Sequence, residues 1–165
     1  MKQIEPVFKK VGDYEFAITP FAAFKAANIS GELVATLSPL AGAIAPLVGT
    51  VMKKRDGSSI ADMDVAEAAK ALSNCSEIDG DRLEALMRKL LLGGNISVKF
   101  DDNGKRRTER LNEDLANELF CGEVQDMYVL CVHVIQINYN GFFERLATQF
   151  GTEEEEQKTK PRQIT

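Results

Sequence analysis

The stretch DRLEALMRKLLLGGNISVKFDDNGKRRTER, Asp81 to Arg110, contains both of the periods from which the fold is built. Leu83, Leu86, Met87, Leu90 and Leu91 recur at the spacing of one helical face, and Gly93-Gly94 ends the run. Ile96, Val98 and Phe100 then alternate with Ser97 and Lys99, the two-residue period of a half-buried strand. Asp102-Asn103-Gly104 is a tight-turn signal that returns the chain through Lys105 to Arg110. The returning arm is almost wholly polar, which predicts a solvated edge strand whose charge discourages pairing with other chains. A helix followed directly by an antiparallel hairpin makes the expected class α+β.

Upstream, Val7 to Val11 and Tyr14 to Ile18 flank Gly12-Asp13, and a glycine at the first turn position suits a type II′ hairpin. The two hairpins can lie side by side. Pro20 stands where a first helical turn accepts a residue without an N–H, so Thr19 is the expected cap of a helix starting near Phe21. Pro39-Leu40-Ala41-Gly42 recurs in form as Pro46-Leu47-Val48-Gly49, which argues against one straight helix there. Asp64 with Glu67, and Asp81 with Glu84, are spaced like capping boxes at the starts of two further helices.

Downstream, Asn112 is placed to cap Glu113 to Phe120, with Gly122 as the stop. A longer helix follows from about Glu123 to Tyr139. Its apolar positions cover most of the circumference and leave a narrow polar strip of Gln125, His133, Gln136 and Asn140, so it is expected at the centre of the core. Asn140-Gly141 breaks it. The expectation is therefore a mainly helical α+β fold with a helical core and short antiparallel hairpins. It comprises one globular domain over 1–150 (hairpin 7–18, helical region 21–92, hairpin 96–110, helical region 112–150) and a charged flexible tail over 151–165.

Composition narrows the function classes. With 165 residues and 44% hydrophobic content the chain can bury a real core. A formal charge of -5 opposes binding to a phosphate backbone, so nucleic acid is not an expected partner. Cys75, Cys121 and Cys131 form no CxxC pair and no even disulfide framework, which fits a reducing compartment. Met1 to Lys10 lacks the apolar region of a secretory signal, and export is not expected. Leu33 to Met52 has no charged residue and is followed by Lys53, Lys54 and Arg55, so a membrane anchor over 33–52 is carried as the alternative. Its prolines and glycines make an internal segment the favoured reading.

The chemistry-bearing residues read blandly. His133 is the single histidine and has no Asp, Ser or Cys partner within a helical turn except Cys131, which two-residue spacing points elsewhere, so it is taken as a surface residue of the polar strip. Glu77, Asp79, Asp81 and Glu84 lack the ligand order of a calcium loop and are better explained as helix capping. Gly93-Gly94 follows a helix and precedes a strand, the reverse of a phosphate cradle. Lys105, Arg106, Arg107 and Arg110 carry no interleaved aromatics on which bases could stack. No catalytic residue, metal ligand or cofactor is expected, and the chain is read as a non-enzyme that binds other proteins.

Two stretches resemble the tail assembly chaperones of long-tailed bacteriophages. The first is Tyr14-Glu15-Phe16-Ala17-Ile18-Thr19-Pro20-Phe21, a strand leading through proline into an apolar helical region. The second runs from Leu111-Asn112-Glu113-Asp114-Leu115 through Leu119-Phe120 and Gly122 to Ile137-Asn138-Tyr139-Asn140-Gly141-Phe142-Phe143. The resemblance implies a chaperone in the cytoplasm of the host bacterium, not expected in the mature virion. It would bind the tape measure protein, shield that protein's apolar helices and help recruit the tail tube protein. Such proteins are often made in two lengths by a programmed frameshift, and the charged tail after Gly151 suits the shorter product. Self-association is compatible with this reading. An apolar face is what holds an amphipathic helix, and the expected partner-binding residues are Phe21, Phe24, Leu37, Leu40, Ile44 and Leu47.

Overall fold

The computed structural model describes residues 4–41, 65–74, 76–142 and 145–146. Val7–Val11 (β1) and Tyr14–Ile18 (β2) form the first hairpin, and Ile96–Asp102 (β3) and Lys105–Arg110 (β4) the second. The helices are Ala23–Leu37 (α1), Val65–Asn74 (α2), Gly80–Leu91 (α3), Glu113–Phe120 (α4) and Val124–Asn138 (α5). The result is a mainly helical α+β fold with a single four-stranded antiparallel meander in the order β1-β2-β3-β4.

The hairpins fold where their turn residues direct them. Gly12 adopts φ 58 while Asp13 stays out of the positive region, the φ pattern of a type II′ turn. Asn103 and Gly104 sit at φ 53 and φ 82, as a type I′ turn requires of both central residues. β2 and β3 join the hairpins in the register Phe16↔Val98 and Ile18↔Ile96, and all four of these side chains are sealed from solvent. β4 is exposed along its whole length, so the polar return arm is indeed the outer edge.

α5 is the hub. Leu130, Cys131, Val132, Val134 and Ile135 are buried, and the helix packs against α2, α3, α4 and β1. α4 starts as its sequence directs: Asn112 Oδ1 accepts from the Leu115 N–H at 2.9 Å, and Gly122 adopts φ 80 just beyond the helix. Phe120 at the end of α4 stacks on Phe16 of β2, with ring centroids 6.0 Å apart and planes 13° off parallel, so helix and sheet share one interior.

Two expected caps are corrected. Asp79, not Asp81, caps α3: its Oδ1 accepts from the Asp81 N–H at 3.0 Å, and the helix begins at Gly80. The spacing to Glu84 pointed two residues too late. Thr19 does not cap α1, because the helix begins only at Ala23; its backbone is tied to Asn95 instead, the Thr19 N–H donating to Asn95 O at 2.8 Å and Asn95 Nδ2 donating to Thr19 O at 3.3 Å. The N-cap of α1 is Ala22, which has no side chain to offer. Instead Asn138 reaches over from the end of α5, its Oδ1 accepting from the Phe21 N–H at 2.6 Å while its Nδ2 donates to Val134 O at 2.8 Å. One turn into α1, the Tyr139 hydroxyl donates to Ala26 O at 2.7 Å.

α1 ends at Leu37 in a 3-10 turn over Ser38–Leu40 that places Pro39 near its start, and Leu33, Leu37 and Leu40 are buried. The uncharged stretch therefore breaks at its first proline. No helix among the described residues is long and apolar enough to cross a membrane, and the anchored alternative is not favoured. Asp64, Pro46 and the charged tail lie outside the described residues.

Candidate functional site

The expected binding residues fall in three different settings. Phe21, Leu37 and Leu40 are buried in the hydrophobic interior, and Ile44 and Leu47 lie outside the described residues. Phe24 is different: it is 93% exposed at the start of α1. Helical spacing puts Ala27, Asn28, Gly31, Val34 and Ala35 beyond it, and every one of these is exposed. Ile29, Leu33, Thr36 and Leu37 are the residues that α1 packs inward. Apart from Asn28, small or apolar residues make up the outer face as well as the inner one.

A second apolar surface was missed by sequence reasoning. Leu83, Met87, Leu91 and Leu92 of α3 and its C-terminus face Ala116 of α4 and Met127 and Tyr128 of α5 across a groove of about 350 Å³. That volume is at the lower end of the roughly 300–1,000 Å³ range of ligand pockets, and its lining is chiefly aliphatic and thioether. Methionines adapt to differently shaped apolar partners, which suits a face that must take more than one side-chain pattern. Leu83, Met127 and Tyr128 read as ordinary core in the sequence. The signal that could have found them is the excess itself: α5 is apolar around most of its girth, more than one side of one helix can hide.

Charge frames this groove. Arg88 donates from Nε to Glu84 Oε1 and from Nη2 to Glu113 Oε1, each at 2.9 Å, so its guanidinium is shared by two carboxylates from different helices. Hydrogen bonding to Arg88, reinforced by its charge, holds the Glu113 carboxyl below its usual range, and the same partners raise Arg88. A further ion pair, Lys89 with Glu32, ties α3 to α1.

The titratable candidates are not assembled for chemistry. His133 is half-buried rather than on the surface as expected, because α5 lies against β1. Its Nδ1 is buried without a hydrogen-bond partner, and burial, with a smaller push from Lys9, pulls it down to about 4. Burial also drives the Cys131 thiol upward, away from a reactive thiolate. Among the described residues no cluster of His, Cys, Asp or Glu could hold a metal ion. A depression on the sheet between Lys10, Glu15, Lys99, Asp101, Arg106 and Arg107 mixes both signs of charge. There Lys99 lies over the Phe8 ring at 4.2 Å, and Arg107 pairs with Asp102 at 2.9 Å.

A family model described as phage tail assembly chaperone protein, TAC, matches residues 12–151. No curated protein and no solved structure matches the chain.

Proposed function

We infer the role of this chain from one premise: it belongs to the phage tail assembly chaperone family. Its general role is thus in tail assembly, with proteins as partners. We read it as non-enzymatic. The specific client is the tape measure protein, which the chain binds and keeps soluble in the cytoplasm of the host bacterium while tail tube protein is recruited; it then leaves, and is absent from the mature virion.

The observation that carries this reading is the apolar groove between α3, α4 and α5. A long helical client with an apolar stripe aggregates through that stripe, and a groove lined by leucine, methionine and tyrosine covers it in the helix-in-groove manner. α3 has 12 residues, so the groove runs alongside about 18 Å of helix, roughly three turns of a client. Phe24, the open member of the expected set, adds apolar surface on α1 at which the client can also be held.

Co-expression tests the reading. With this chain present, the tape measure protein moves from the pellet to the soluble fraction and copurifies with it. If it stays insoluble and no complex is recovered, the reading fails.

A further inference from the structure

We propose that the groove selects its client by charge, taking helical segments whose apolar stripe is flanked by lysine or arginine. The proposal rests on the chaperone reading and names the class of segment that this site accepts.

The charged residues lining the groove are Glu84, Arg88 and Glu113, two carboxylates to one guanidinium. Arg88 is engaged by both carboxylates and has little charge to offer a newcomer. Lys89, on the same helix, is occupied by Glu32 of α1. The wall formed by α4 and α5 is more one-sided. From Leu111 to Phe142 the sequence holds Glu113, Asp114, Glu118, Glu123 and Asp126, and neither lysine nor arginine.

The positive ends of two helices work against this. Gly80 and Glu113, at the starts of α3 and α4, both line the groove, and each helix start carries about half a positive charge. Asp79 and Asp81 stand at the first start, and Glu113 and Asp114 at the second. Arg82 offsets one carboxylate at the first start and Arg88 pairs with Glu113 at the second, which leaves about one net negative charge at each, still more than the half positive charge it faces. An apolar floor with a carboxylate margin complements a helix of leucine-like residues edged by cations, and repels one edged by Asp or Glu.

The test uses the full chain and two labelled synthetic helices of about 20 residues with the same leucine stripe, one flanked by lysine and one by glutamate. Fluorescence anisotropy titrations are run at low and high salt. Single exposed ion pairs contribute little, so two or three of them give about a five- to tenfold preference for the lysine helix, shrinking as salt screens them. Glu113→Lys lies on an exposed position and removes or reverses the preference, while Met127→Asp weakens both peptides. Equal binding, preference for the glutamate helix, or binding of neither peptide overturns the proposal. A soluble complex with tape measure protein under any of those results leaves the chaperone reading standing and refutes only the charge rule.

Discussion

The Phe21 N–H donates to Asn138 Oδ1 at 2.6 Å, joining residues 117 apart in the chain. This bond satisfies a donor ahead of α1 that no local side chain reaches, since the N-cap is an alanine. It also joins the two stretches that resemble the chaperone family, which meet again where Phe16 stacks on Phe120. The recurring sequence pattern is thus one packed junction, written in two places.

Asn138→Ala removes this tie and leaves the Phe21 N–H without its partner in a half-buried site. Urea unfolding should show a loss of about 1–3 kcal/mol. An unchanged midpoint would mean that water replaces the amide without cost.

Phe16→Ala and Phe120→Ala each open a cavity, at about 3–5 kcal/mol apiece. The double variant should lose less than the sum, by roughly 0.5–1.5 kcal/mol, because the stacked pair can be lost only once. Strict additivity would show that the two rings are energetically independent.

Stability should fall in acid through His133. Its folded-state value of about 4 lies below the ordinary 6.5, so between these values the unfolded chain takes up a proton that the folded chain refuses. The full contribution is present above pH 6.5 and is lost as pH drops toward 4. Discounted for partial exposure, the loss is roughly 1–2 kcal/mol. Glu113, held down by Arg88, loses its own contribution only as pH falls on through the lower carboxylate range. His133→Gln should flatten the upper part of the curve, and an unaltered slope in that variant would assign the effect elsewhere.

Gly12→Ala faces two obstacles at once. φ is 58, and a Cβ would stand 2.5 Å from Asp126 Oδ2 at the start of α5. A cost of about 1–2 kcal/mol is expected from the backbone alone. Pairing it with Asp126→Ala should recover only the part due to the close approach.

Phe24→Ser should leave stability within about 0.5 kcal/mol, because the ring is 93% exposed. Recovery of soluble tape measure protein in co-expression should nevertheless drop. A variant that solubilises the client as well as the parent chain does would remove α1 from the binding surface.

Local chemistry explains what was legible in the sequence. The turns at Gly12 and at Asn103-Gly104, the cap at Asn112 and the stripe of α3 depend on neighbours within a few residues, and each formed as read. Distance defeated the rest. Thr19 is a good cap in isolation, but Asn95 holds its backbone beside β3 and α1 starts only at Ala23. His133 belongs to a polar strip whose ends, Gln125 and Asn140, are exposed, yet the imidazole itself is half-buried where α5 meets β1. The groove needs residues from three helices, and nothing within any one of them says that Met87, Ala116 and Tyr128 will converge.

Because α5 is the hub on which α2, α3, α4 and β1 all rest, order of synthesis matters. β1 and β2 leave the ribosome first, yet Phe16 must wait for Phe120 and Phe21 for Asn138. At roughly 5–20 residues per second, the N-terminal half spends several seconds without its supporting helix. A nascent chain halted before Val124 would therefore be sticky in its own right, a client in need of a chaperone before it can act as one.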